Sequence, residues 1–180
     1  MKNCISSLST LSLILICVVF LNSCGTLMSL VFGNMKTDQE ITQEQLGKVL
    51  DAIENEDSNA LKALFAKSAL NKLENFDASI EQLFDYYEGI HKPVEEQYNT
   101  VRSQSQNYGM YQTYYETSYA VSTNITTYRI AFLYYFVDDY DSDNIGIHSL
   151  YIIKEADYPE PEYTYRGDGK NTHGINIGVY

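Results

Sequence analysis

The sharpest local cluster of charge in the sequence is Asp138-Asp139-Tyr140-Asp141-Ser142-Asp143-Asn144. Asp139, Asp141 and Asp143 alternate as the carboxylates of a calcium loop do, a spacing that lets oxygens converge on one hard cation. Two positions depart from that pattern. Asn144 stands where the loop needs glycine, and Leu150 stands where an acid closes the shell. The plainer expectation is a solvated acidic hairpin tip that discourages edge association. Four further residues are candidates for a ligand pocket: Tyr128, Arg129, Tyr134 and His148. Arg129 interrupts an otherwise apolar strand, so it requires a carboxylate partner or a ligand anion. The alternative is a surface or salt-bridged arginine at the strand entry. His148 sits between Ile147 and Leu150. A lone histidine on a strand is more often a hydrogen-bonded structural residue than a general base. No residue is assigned a catalytic role. There is no Gly-rich phosphate loop, HExxH, GxSxG or basic stripe, so no cofactor is expected.

Cys24 carries a different chemistry. It follows Leu21-Asn22-Ser23 and an uncharged apolar run from Ile5 to Leu21, with Lys2 ahead of it. The arrangement resembles a bacterial lipobox, in which a signal peptide is cut just before a cysteine that receives diacylglycerol. The competing reading is a spanning helix, which needs about 20 apolar residues and usually a basic flank. No Lys or Arg lies between Lys2 and Lys36, although Leu27-Met28 and Leu30-Val31-Phe32 resume the apolar character. Each buried methylene of an acyl chain contributes about 0.8 kcal/mol, and one chain holds only marginally. A lipobox cysteine carries at least two. The expectation is a protein exported and held on the extracytoplasmic face of the cell membrane through its acyl anchor.

Composition agrees with that expectation. The other cysteines, Cys4 and Cys17, leave with the leader, so the mature body has no thiol. That excludes a cysteine hydrolase, a thiol redox protein and a zinc–cysteine site. The 180-residue chain carries 12 Lys and Arg against 24 Asp and Glu, a formal charge of −12. Such a surface repels nucleic acid, and no nucleic-acid partner is expected. It would suit a cationic partner, though a solvated acidic surface is the commoner explanation.

The elements that position these residues follow from periodicity. Residues 1–23 read as the leader and 24–40 as lipidated cysteine and tether. Thr42 with Gln45 forms a capping-box pattern, and Leu46, Val49, Leu50 and Ile53 then make one apolar stripe. Asp57 or Ser58 can cap a second helix bearing Leu61, Leu64, Phe65 and Ala69. Asp77 can cap a third with Ile80, Leu83, Phe84 and Tyr87 inward, closed by Gly89 and Pro93. From Val94 the period becomes two. Strands are expected over 111–121, 128–137 and 145–153, and over 94–108 a long strand exposed on one side or partly a loop, with turns at Tyr108-Gly109-Met110 and Thr123-Asn124. Tyr128, Ile130, Phe132, Tyr134 and Phe136 line one face of the third strand, and Ala131, Leu133, Tyr135 and Val137 the other, which makes it central. The 17 tyrosines suit a sugar- or peptide-binding face, but strand propensity alone accounts for many of them. Residues 157–180, with Pro159, Pro161 and four glycines, read as an irregular tail. The fold class is α+β: three N-terminal helices packed on a curved antiparallel sheet.

This order resembles the nuclear transport factor 2-like (cystatin-like cone) superfamily. The segments LDAIENEDSNALKALFAKSAL, IEQLFDYYEG and STNITTYRIAFLYYFVDDYDSDNIGIHSLYI, with the lipobox, look like the domain-of-unknown-function 5104 family of Gram-positive lipoproteins. The resemblance covers about residues 41–154 and implies fold and location only. A bent sheet would wrap a long helix and leave a conical pocket over 41–156. Cone-fold enzymes place an Asp, His or Tyr in that pocket, as ketosteroid isomerases do, but no residue here matches their motif. The expected role is a non-enzymatic module that binds a small molecule, peptide or envelope protein. The alternatives are a pocket enzyme of the isomerase or cyclase kind, and an immunity-type protein that captures a cationic toxin or peptide.

Overall fold

A computed structural model describes residues 36–94, 96–158 and 174–178. The leader, Cys24 and residues 159–173 of the tail lie outside these. A boundary between units falls after Thr37, and every element below belongs to the second unit. No helix among the described residues is long and apolar enough to cross a membrane.

Helix α1 spans Asp38–Glu54 and buries the stripe Leu46, Val49, Leu50 and Ile53. It begins four residues ahead of the expected cap. Asp38 and Glu40 sit in its first turn, where the helix dipole favours acids. Thr42 is therefore inside the helix, and its hydroxyl donates back to the carbonyls of Asp38 (3.0 Å) and Gln39 (3.2 Å). The capping box at Thr42 and Gln45 is not formed.

The second expected helix is split. α2 (Ser58–Ala63) is capped by Asp57, whose Oδ1 accepts from the Ala60 amide at 2.9 Å. α3 (Lys67–Leu70) follows after a break. Between them the Ile147 amide donates to Leu64 O (2.9 Å), and the Ala66 amide donates to Ile147 O (3.0 Å). Phe65 thereby forms a one-residue parallel bridge to Ile147. The sheet takes the backbone groups that the helix would have used, a tertiary override of local propensity. The approach requires Gly146: its φ is +132°, and an added Cβ would lie 2.6 Å from the Ala66 nitrogen. The described helices therefore number four, where three were expected.

α4 spans Phe76–Tyr86 and buries Ile80 and Leu83. Its N-cap is Asn75 in the left-handed conformation (φ 58°), with no side-chain cap bond. Asp77, the expected cap, is a first-turn residue that pairs with Lys62 at 3.1 Å.

The sheet has five antiparallel strands in chain order: β1 (Glu96–Asn107), β2 (Met110–Ser122), β3 (Thr127–Asp138), β4 (Gly146–Lys154) and β5 (Ile175–Gly178). β1 and β2 join through Tyr108 (φ 49°) and Gly109 (φ 82°), the positive-φ pair of a type I′ hairpin. Register shifts at Gln97/Asn99, Thr113/Tyr114 and Leu133/Tyr134 bend the strands. β5 corrects the expectation of a wholly irregular tail. Ser149 pairs with Gly178 and Ile152 with Ile175, and Ile177 enters the main core at 2 % exposure.

That core joins the stripes of α1 and α4 to Tyr119, Val121, Tyr128, Ile130, Phe132, Leu150 and Ile152. A second, smaller cluster holds Ala131, Tyr151 and Ile153, with Tyr158 packed against it. β3 is apolar on both faces and central, as its pattern requires. The apolar line runs out at Phe136, which is exposed.

Candidate functional site

The four pocket candidates occupy two faces of β3 and β4. Tyr128 is fully buried in the main core. It stacks on Tyr87 (centroids 4.7 Å apart), and its hydroxyl accepts from the Glu88 amide at 2.7 Å. Tyr134 lies at the edge of the same core, edge-on to Phe136. Burial, with the nearby Glu44 charge, pushes its phenol pKa up. Arg129 points away from that core. Its guanidinium forms a forked pair with Glu155 (2.8 and 3.3 Å) and lies over the rings of Tyr98 (4.4 Å) and Tyr158 (3.5 Å). Burial works to lower its pKa, but the Glu155 hydrogen bonds and charge outweigh it, and the pKa stands above the ordinary value. His148 Nε2 is 2.8 Å from the Asn144 carbonyl, and its ring packs on Tyr135, which stacks in turn on Tyr114. Tyr128 and Tyr134 thus share one face, while Arg129 is salt-bridged to a carboxylate of this chain, the alternative to a ligand anion.

The acidic connection between β3 and β4 is organised by a residue that sequence reasoning passed over. Asp138 is buried at 3 % exposure. Its carboxylate accepts from Gln112 Nε2 (2.8 Å), the Tyr140 amide (3.0 Å), the Asp141 amide (3.1 Å) and Asn144 Nδ2 (3.1 Å). Burial alone would raise its pKa; these donors more than reverse that and hold it below the usual carboxylate value. The three calcium candidates turn to different partners. Asp139 Oδ2 accepts from the Tyr111 amide (2.8 Å), Asp141 Oδ1 from the Asp143 amide (3.0 Å), and Asp143 pairs with Lys67 (3.2 Å). Among the described residues no group of three or more His, Cys, Asp or Glu side chains is placed to hold a metal.

A second missed cluster joins α1 to the segment after α4. Glu54 Oε1 accepts from the His91 amide (2.6 Å), His91 Nδ1 (2.9 Å) and the Tyr87 hydroxyl (3.3 Å). Burial first, then the Glu54 charge and hydrogen bond, drive the Tyr87 pKa far above its ordinary value. Glu54 and His91 are 37 residues apart in sequence, so no local pattern announces them.

Among the described residues, side chains fill the space between α1 and the sheet. Leu50, Leu83, Tyr119, Tyr128 and Ile130 are buried there without measurable exposure. The buried Tyr119 hydroxyl is paired there: it donates to Thr42 Oγ1 (2.6 Å) and accepts from Gln97 Nε2 (2.9 Å). Two open clefts of about 450 and 350 Å³ lie on the helical side, one beside Lys62 and Phe76, the other beside Lys48 and Asn55. None of the four candidates lines either.

Exposed aromatics gather instead around the β1–β2 tip and the end of β3. Tyr108 is 98 % exposed, and Tyr111, Phe136 and Tyr140 are each above 40 %. The Tyr140 hydroxyl reaches the carbonyls of Asn107 and Met110 (3.4 Å each), and the Tyr111 backbone pairs with Asp139. Tyrosine rings and carboxylates are thus interleaved at one end of the sheet.

A family profile described as Domain of unknown function (DUF5104) matches residues 48–155. The chain belongs to the DUF5104 family. The matched stretch runs from the middle of α1 to the end of β4, so it includes Glu54, His91, Asp138 and the distal aromatics. The DUF5104 match leaves out the first turns of α1 and all of β5. No curated protein matches the chain.

Proposed function

We propose that this DUF5104 protein is a lipid-anchored, extracytoplasmic binding module without catalytic activity of its own, and that a peptide or envelope protein docks at its tyrosine- and aspartate-rich distal end. The carrying observation is the contrast between a side-chain-filled interior and the exposed cluster of Tyr108, Tyr111, Phe136 and Tyr140. Tyrosine offers large, stiff contact area with a hydroxyl that tolerates water, which is why it recurs at recognition surfaces. The acid beside it selects basic partners.

The nuclear transport factor 2-like cone is the finer fold reading. It is supported by helices gathered in one core against a sheet bent by three register shifts, and by the parallel bridge of Phe65 to Ile147. Buried side chains where a cone would hold its ligand support a reading with the binding surface at the outer end. Two acyl chains at Cys24 would confine the module to a thin layer and raise its local concentration toward neighbours.

A photo-crosslinking residue at Tyr111, compared with one at exposed Glu56 on the helical side, tests the reading in intact cells. A discrete adduct from position 111 and none from position 56 is expected. Equal labelling at both positions, or none at position 111, would contradict it.

A further inference from the structure

We propose that the outer edge of β1 is a docking strand, and that the binding segment of the partner is an extended basic peptide that adds to the sheet beside it. This rests on the binding-module reading and specifies its mode. β1 is the terminal strand of the order β1-β2-β3-β4-β5, and among the described residues it pairs with β2 alone. Its direction of hydrogen bonding follows from the hairpin. The Tyr111 amide and carbonyl both engage Asp139, on the β3 side. Met110 and its partner Asn107 therefore bond to each other, as the residues flanking a two-residue turn do. Alternation then turns the backbone N–H and C=O of Arg102, Gln104 and Gln106 toward the open edge, like the sixth slot of an unfinished sheet.

Sheet proteins ordinarily guard a long edge with proline, lysine, bulges or short length. β1 runs for 12 residues, Glu96–Asn107. It holds neither proline nor lysine, and its one register shift lies at Gln97/Asn99, away from the tip. Its cation, Arg102, is held by Asp38 (3.5 Å) and Gln104 (3.2 Å). Residues 104–107 are exposed and uncharged. Strand addition recognises backbone through such an edge, and side chains supply the selectivity.

Charge chooses the occupant. A second copy would set one body of charge −12 against another. A basic segment would instead suit that net charge and meet Glu116 opposite Val101 on β2 and Asp139 behind Tyr111. The exposed ring of Tyr111 adds a cation–π surface at the tip.

The test uses the full chain in mild detergent and a synthetic peptide of alternating Lys and Val, about twelve residues long to match the strand. Backbone amide exchange is followed by NMR. Slowed exchange at Arg102, Gln104 and Gln106 on adding peptide is expected, with affinity about tenfold weaker for the same peptide N-methylated at alternate amides and for a Glu–Val version. Gln104→Pro, which removes one outward donor from an edge position, is expected to weaken binding similarly while Gln104→Thr does not. Unchanged edge exchange, or equal binding of the N-methylated peptide, would overturn the proposal. If Tyr111 and Phe136 respond while the edge amides do not, strand addition fails and the binding-module reading stands; if neither responds, both fail. Edge amides already slow without peptide, in a chain that sediments as a dimer, would assign the edge to a second copy and overturn the proposal.

Discussion

Asp138 shows how much one carboxylate can organise. Four donors converge on it from β2 and from the β3–β4 connection, so the loop is shaped by a buried acid within the protein. Replacing it strands those donors. Asp138→Ala is expected to lower unfolding free energy by about 3 kcal/mol, read by urea denaturation at neutral pH. The pH dependence has a definite sign. The folded-state pKa is depressed, so the stabilisation is complete above the unfolded value of about 3.9 and is lost as pH falls through the folded one. The gap between the native chain and Asp138→Asn should therefore close below about pH 4; a gap that stays constant down to acid unfolding would contradict the assignment. From sequence, Asp139, Asp141 and Asp143 drew attention because their spacing is regular. Asp138 did not, since nothing local tells an acid that faces its own loop from one that faces water. The same limit hid Glu54, whose partner His91 is supplied by another element.

At the scale of elements, long periodic segments were legible and contested ends were not. The α1 stripe of Leu46, Val49, Leu50 and Ile53 and the two-sided apolar pattern of β3 were readable because burial there follows a single period. The break at Leu64–Ala66 was not, because it is made by Ile147 from the sheet. β5 escaped for a related reason. Ile175 and Ile177 are two alternate apolar residues among glycines, too short a signal to outweigh the tail's composition. Yet Ile177 is 2 % exposed, so β5 is part of the folded body. Ile177→Ala is expected to cost about 3 kcal/mol, measured as a lowered denaturation midpoint. A change within about 0.5 kcal/mol, the range of ordinary surface substitutions, would mean that the strand is dispensable.

At the scale of the molecule, two populations of tyrosine stand out among the described residues. Burial raises the pKa of Tyr86, Tyr87, Tyr115, Tyr119, Tyr128, Tyr134 and Tyr135, with Tyr115, also hydrogen-bonded to Asp38, pushed up to about 12. Tyr108, Tyr111 and Tyr140 are exposed. The chain has no tryptophan, so alkaline absorbance reports tyrosinate cleanly. A raised folded pKa contributes stability that is present below the unfolded value of about 10 and lost as pH rises through the folded one. A steep alkaline step coincident with unfolding, as the buried group ionises, is expected. One smooth titration of all tyrosines would contradict the partition. It would also weaken the division between tyrosines that build the core and tyrosines left for a partner.

The proposal that acyl chains hold this folded body outside the cell is decided by the mass of the chain recovered from membranes. A polypeptide that begins at Cys24 and carries the added mass of diacylglycerol is expected, as is a Cys24→Ala chain that leaves the membrane fraction without detergent. An intact Met1 end, an unmodified Cys24, or a Cys24→Ala chain that still pellets with the membrane would contradict it.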